Sequence, residues 1–529
     1  MKKYRLFFVL YVCVCLLPLA VFRDYTPSNE LRYLSIANEA LENGNVFTFT
    51  NHGAAYADKP PLYLWIVMGG KLLFGTHVMW FLSLFSLVPA LLIVYVMDKW
   101  LRLETTNNPL TADFPDNTAP RRTAAWMLVS SGLFLGLAVV LRMDMLMNLF
   151  ITLSLYEFYK MYTGHATPAS KYLFPLYVFL ALFSKGPLGF LIPLLCTAVF
   201  LATQKQLRTF GRYWGWRTWG VLVLGCVIWF GGAFLEGGTE YLNNLLFHQT
   251  VDRAVNAFHH KEPFYYYGIT FWYSLAPWSL LVAGVLVIAL VKKRFTSILS
   301  AFFGTVVATT FVMVSCFSSK LAIYLSPAFP FFVYLAVMQW PVWHTRKWAK
   351  ILLAVPMGVL ACALPAVVVL SAREDTAFIG QAGFYVAAAL LSVGALGALY
   401  LLFFRKEGTG ASVRLTAMAL YAALFAGGWS VPRINDRIGY ASLCEAALEL
   451  ATQNDCNRYA TYFVSRPENM DVYMGVVPEV LSEEEGAATV APGTVLITRE
   501  HRLQANPGLL RRTTGRPMVK CGDFVLYAL

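Results

Sequence analysis

The sequence predicts an α-helical polytopic membrane protein with a small C-terminal α/β domain. Three observations carry that expectation. Of 529 residues, 58% are hydrophobic and 14% charged, whereas soluble domains hold about a quarter charged residues. Long apolar runs recur through residues 1–430. Beyond residue 430 they stop, and polar and apolar residues alternate instead.

Thirteen runs are long enough to cross about 30 Å of hydrocarbon as helices: 5–22, 77–97, 124–141, 145–162, 170–184, 187–203, 218–235, 269–291, 297–316, 321–340, 351–371, 381–404 and 413–430. Lys2, Lys3 and Arg5 ahead of the first run resemble a signal peptide, but no small-x-small cleavage site follows, so it reads as a retained helix. With the N-terminus inside, the cytoplasmic gaps hold Lys99, Arg102, Arg121 and Arg122, then Lys205, Arg208, Arg212 and Arg217, then Lys292, Lys293 and Arg294. Positive charge on the inner side is the expected bias. The outer gaps are then 23–76, 142–144, 184–187, 236–268, 317–320 and 372–380, and an odd number of spans sends 431–529 outward too. The domains expected are a membrane domain, 1–430, which includes the periplasmic loop 23–76, and a periplasmic α/β domain, 431–529. In the latter, RYATYFV, GTVLITRE and DFVLYAL alternate as strands do, and YASLCEAALELATQ has helical spacing.

The excess of 42 Lys+Arg over 30 Asp+Glu lies mostly in the short gaps, where topology explains it. No basic cluster is interleaved with aromatics on a polar segment, so nucleic acid is not an expected partner. The nine cysteines show no metal-type spacing. Cys444, Cys456 and Cys521 share the tail, where one disulfide could form outside the cytoplasm.

Charges at a membrane edge are costly, which makes them functional candidates, and here they gather on the outer side. They comprise SNELRY (Ser28–Tyr33), ADKPP with Asp58 and Lys59, LRMDM with Arg142 and Asp144, SKGP with Lys185, HHKEPFYYY (His259–Tyr267) and SSKLAIYLSP with Lys320. Singly, each has an ordinary reading. Lysines at helix ends snorkel, proline suits a helix start, Asp144 beside Arg142 can be a local ion pair, and tyrosines 265–267 fit an interfacial belt. Together, the cations Lys59, Arg32, Arg142, Lys185 and Lys320 suit a phosphate, and the carboxylates among them suit a general base or an oxocarbenium stabiliser. A phosphate at the lipid boundary implies a lipid-linked substrate, with a polyprenyl phosphate sugar the natural donor.

SNELRYLSIANEALENGN, YADKPPLYLW, LRMD, FSKGPLGFLIP, HHKEPFYYYG…LAPWSLL and SKLAIYLSPAFP, in that order over residues 20–335, resemble the bacterial membrane glycosyltransferases of the aminoarabinose (lipid A) transferase type. These are relatives of the protein O-mannosyltransferases and share the GT-C fold. The resemblance implies inverting transfer from undecaprenyl phosphate–sugar, on the periplasmic side of the inner membrane, to lipid A or another envelope glycolipid. A protein Ser or Thr acceptor is the alternative. A lipid-linked sugar transporter or flippase is a third reading, against which stand the lack of an internal repeat and the gathering of charge at one face.

Carried over by motif, Lys59 would hold the donor phosphate and Tyr324 would reach it. Asp144 matches an acidic position that the family needs. Asp58 stands where relatives have Glu before Lys-Pro, a position linked to a bound divalent metal such as Zn or Mg, which His248 or His259 would share. The relatives usually read Asp-Glu before x-Arg-Tyr, whereas this chain reads Asn29–Glu30. Asn29 cannot act as a base, so the resemblance leaves Glu30, Asp144 or Asp58 for that role, or an acceptor that needs little base.

Overall fold

The computed structural model describes residues 2–107, 118–246, 261–406, 408–482 and 490–529. Each of the thirteen apolar runs is helical, and several are broken. The first nine helices are α1 (Lys2–Phe22), α2 (Glu30–Asn43), α3 (Pro61–Phe74), α4 (Met79–Asn107), α5 (Thr118–Val129), α6 (Gly132–Val139), α7 (Asp144–Tyr162), α8 (Ser170–Lys185) and α9 (Pro187–Thr203). Among the described residues, seven helices are long and apolar enough to cross a membrane, or eight if the 64° bend between Ala119–Val129 and Gly132–Val139 lies within one span. The count falls below thirteen because other runs form shorter apolar helices, such as Pro187–Thr203 and Ser279–Val291.

Helices are what an apolar chain must form in lipid, because no water is there to satisfy an open backbone. Their side chains fit that solvent. Leu235, Val291 and Phe404 are 85%, 78% and 77% exposed, a large cost in water but none against hydrocarbon. Prolines inside α1, α4, α8 and α9 are tolerated in such helices because neighbours re-satisfy the freed carbonyls. The chain is a multi-pass membrane protein.

The chain divides into two compact units. One comprises Met1–Leu16, Ala57–Tyr63 and Leu82–Gly427, and the other Leu17–Tyr56, Leu64–Phe81 and Gly428–Leu529. Whereas the sequence assigns loop 23–76 to the membrane domain, most of that loop clusters with the tail. Asp24 supplies the physical reason. Its buried carboxylate accepts from the Tyr473 hydroxyl, from Ala441 N at 2.8 Å and from Tyr25 N at 2.7 Å. Asn435 closes the joint, accepting from Asp24 N at 3.1 Å and donating to the Phe22 carbonyl at 2.8 Å.

Within the tail lies a five-stranded sheet. Besides the short pair β1 (Thr50–Asn51) and β2 (Ala54–Ala55), the strands are β3 (Arg458–Tyr462), β4 (Glu479–Val480), β5 (Thr494–Arg499), β6 (Met518–Cys521) and β7 (Phe524–Ala528). The sheet order is β4-β3-β5-β7-β6. β3 pairs parallel with β4 and β5, and β7 antiparallel with β5 and β6. The helix Ala441–Gln453 packs on β5, β6 and β7, burying Leu443, Cys444, Ala447, Leu450 and Ala451 at the spacing of one helical face. The three sequence-predicted strands and the helix all form. β4 and β6 were not predicted, because both are short edge strands without a buried stripe. The tail cysteines are not bonded to one another, and all nine are free thiols.

Candidate active site

The site is built in the helical unit, where three loops meet at helix ends. SKGP provides the sharpest turn. Gly186 has φ +100° and ψ −151°, a region open only to glycine. It ends α8 at Lys185 and lets Pro187 start α9, where a missing N–H costs nothing. Three residues on, a Cβ at Gly189 would meet the Ala181 carbonyl at 2.2 Å. The two helices therefore cross backbone to backbone, which fixes where Lys185 emerges.

Asp144 opens α7, which packs along α8. Its side chain is fully buried and accepts from Lys185 Nζ and, at 3.0 Å, from Arg142 Nε. At a helix N-terminus the carboxylate also gains from the exposed N–H dipoles. The Lys185 ammonium stands 5.0 Å from the centre of the Tyr324 ring, a cation–π distance. Lys59 is near enough for its charge to act on Lys185, and it is itself held by Asp58 at 2.9 Å. Arg142, Asp144, Lys185 and Tyr324, predicted from three separate motifs, are thus brought together by contacts, and the Asp58–Lys59 pair lies within electrostatic range of Lys185.

Beneath them lies a pair that the sequence reading missed. Asn148 Nδ2 donates to Ser326 Oγ at 3.0 Å, with both side chains buried. The bond ties α7 to the 3-10 segment Ala322–Ala328 that carries Tyr324. A signal was available, since Asp144, Asn148 and Thr152 recur every four residues as a polar stripe on an otherwise apolar helix.

The remaining sequence candidates make other contacts. Lys320 is buried, and its ammonium donates to the carbonyls of Glu262 and Phe317 at 2.8 and 2.6 Å. It belongs to a clasp in which Tyr267 also donates to the Leu321 carbonyl at 3.2 Å. Glu30, Asn29 and Arg32 belong to the other unit. Arg23 donates to both Glu30 oxygens at 2.7 Å, and Thr26 N adds a bond of 2.7 Å. Both oxygens are therefore occupied, the arrangement of a structural clamp. Arg23, seven residues upstream and outside the helix of Glu30, left no periodic signal. Asn29 precedes α2 without capping it through its side chain, and Arg32 is half-buried on α2.

His248 and His259 lie outside the described residues. Among the described residues, no group of three or more His, Cys, Asp and Glu comes together to hold a metal ion.

No family model matches the chain. Among curated proteins it is 27% identical over 311 residues to an uncharacterised protein of Aquifex aeolicus. It is 26% identical over 331 residues to an undecaprenyl phosphate-α-4-amino-4-deoxy-L-arabinose arabinosyl transferase of Shewanella sediminis. These matches span 57% and 60% of this chain, and 57% and 56% of the relatives' own length. Among solved structures, the crystal structure of ArnT from Cupriavidus metallidurans bound to undecaprenyl phosphate superposes with a TM-score of 0.74 at 18% identity, over 98% of this chain and 97% of that one. Its apo state gives 0.72 at 19% over the same shares. The chain therefore has the GT-C fold of the aminoarabinose-transferase type, as the motifs led one to expect.

Proposed function

We propose that the chain is an inverting glycosyltransferase that moves a sugar from a polyprenyl phosphate carrier to lipid A or another envelope glycolipid. The reaction would take place at the periplasmic face of the inner membrane, with the N-terminus cytoplasmic and the tail periplasmic. The observation that carries this reading is the buried Asp144, gripping Lys185 and Arg142 beside Tyr324, with Lys59 in electrostatic reach. Support also comes from the fold, shared with a protein crystallised with undecaprenyl phosphate.

The chemistry follows from charge. The bond between the anomeric carbon and the donor phosphate oxygen breaks, and the phosphate leaves with the electron pair. A bond from the acceptor oxygen forms on the opposite face, giving inversion. Three cations (Lys59, Arg142, Lys185) against two carboxylates (Asp58, Asp144) leave one positive charge. That offsets the single charge of the donor diester, and the cations attract the second charge more strongly as it develops. Asp144 acts by holding two cations in place, so that little reorganisation is needed during the reaction. A phosphate acceptor is already ionised and brings no proton to remove. A hydroxyl acceptor would need a base, and Asp58, 16% exposed, is the more accessible carboxylate of the two. Glu30 is spoken for by Arg23.

The test is mass spectrometry of lipid A, envelope glycolipids and periplasmic proteins, in cells with the wild type, with Lys59→Ala and with no copy of the chain. The expected result is a sugar-sized mass gain on a glycolipid that requires Lys59. A gain confined to proteins would reassign the acceptor. No difference in any fraction would refute the activity.

A further inference from the structure

In the helical unit, the helices Ser279–Val291 and Lys347–Ala361 pack together. Where the first ends and the second begins lies an open cavity of about 480 Å³, which the proposed reaction does not use. That volume is within the range of small-ligand sites, about 300–1,000 Å³. The sequence expects this end of the helices in the cytoplasm. Three cations line the cavity (Lys292, Arg294 and Arg346) beside Ile288, Val342 and Trp348, and no described lining residue is acidic. Lys292 and Arg294 are separated by Lys293, whose φ of +51° is uncommon for any residue but glycine. That conformation turns the chain back, so that Arg294 N donates to the Ala289 carbonyl at 2.8 Å and closes the helix.

Topology alone explains basic residues at this end of the helices, but not their convergence on one cavity without a counter-charge. Among the described residues, none of the three cations forms an ion pair or a side-chain hydrogen bond. The sequence supplies no carboxylate locally, because residues 263–373 contain neither Asp nor Glu. The helix Gly408–Gly428 comes close through Thr409, which donates to the His344 carbonyl at 2.5 Å. Its flank, 405–414, holds Arg405, Lys406 and Arg414 against Glu407 alone, and so adds positive charge. Like charges brought together repel, and an anion is the partner that offsets them. Guanidinium forks match phosphate oxygens. Beside the cavity, Val287, Leu290 and Val291 are 57%, 62% and 78% exposed, an apolar helix face that suits an acyl chain, and a tryptophan such as Trp348 is at home at headgroup level. We infer that this cavity binds the phosphate headgroup of an anionic phospholipid, with the chain running along the helix Ser279–Val291. Basic pockets between cytoplasmic helix ends take such headgroups, whereas a free phosphate would leave Ile288, Val342 and Trp348 uncovered.

The test uses the detergent-solubilised full chain, titrated separately with phosphatidylglycerol, phosphatidylcholine and inorganic phosphate. Binding is read as the thermal unfolding midpoint and as retained lipid in native mass spectrometry. Phosphatidylglycerol alone is expected to stabilise the protein saturably and to stay bound. Arg346→Gln is expected to weaken that binding about tenfold, the scale of one charge-assisted contact, and Lys292→Gln with Arg346→Gln to weaken it further. Arg346 and Lys292 are exposed, so both variants should fold, which their midpoints without lipid will check. Two controls are expected to bind phosphatidylglycerol as the wild type does. Lys350→Gln removes a nearby charge that does not line the cavity, and Lys59→Ala removes a cation of the proposed donor site, which also favours an anionic lipid. The inference is overturned if phosphatidylcholine or inorganic phosphate stabilises equally, or if the double variant binds like the wild type. It is equally overturned if Lys350→Gln weakens binding as much as Arg346→Gln, which would mean diffuse surface charge, or if Lys59→Ala removes the effect, which would place the lipid in the donor site.

Discussion

Replacing Asp144 by Asn removes one negative charge and almost no volume. The carboxylate is fully buried and holds Lys185, itself only 6% exposed, together with Arg142 at 3.0 Å. Breaking a buried ion pair by removing one partner costs about 3–5 kcal/mol, chiefly because the other charge is stranded. The amide oxygen still accepts one bond, which puts Asp144→Asn at the lower end of that range. Lys185→Met alone leaves the buried carboxylate with Arg142 and without its lysine. Asp144→Asn with Lys185→Met removes both members of that pair and leaves only the Arg142 contact weakened, so the double replacement should fall short of the summed single losses by at least about 2 kcal/mol. Activity should not recover with stability, since the double variant lacks a cation for the leaving phosphate. Losing one such electrostatic contact typically costs about 100-fold in rate. The assay pairs unfolding midpoints in detergent with transfer from a polyprenyl phosphate sugar for all four proteins. Additive stability losses would refute the buried pair, and a double variant with wild-type transfer would refute its role in phosphate binding.

Gly186→Ala forces a side chain into a backbone region that only glycine occupies. It should cost about 1–3 kcal/mol and reduce transfer by shifting Lys185, and an unchanged midpoint and rate would show that the turn relaxes. Asp24→Ala leaves the Tyr473 hydroxyl and two backbone N–H groups without their acceptor, at about 1–3 kcal/mol each, so limited proteolysis should release the tail far faster than in the wild type. Burial pushes the Cys444 thiol up to about 12, so at pH 7–9 it stays protonated and should react with maleimide only after unfolding. A disulfide-linked peptide containing Cys444, Cys456 or Cys521 in unreduced membranes would contradict the three free thiols.

Composition and periodicity determined the membrane class, all thirteen helical runs and three strands plus a helix of the tail. Those features depend on local hydrophobic pattern and on the demand that a backbone in lipid satisfy itself. Six ordered motifs likewise marked most of the cluster around Asp144. What only the tertiary structure decided is which charge faces which. Lys185 meets Asp144 across 41 positions of sequence, because Gly186 and Gly189 fix where two helix ends emerge. Glu30 and Asp144 look alike as acidic residues at helix starts. One has both oxygens bound by Arg23 and Thr26, while the other pairs with a lysine beside Tyr324. Asp24 reaches Tyr473 across 449 positions and draws the first loop into the tail's unit. A buried charge must find a partner wherever the fold brings one, and long-range partners carry no periodicity by which a sequence could announce them.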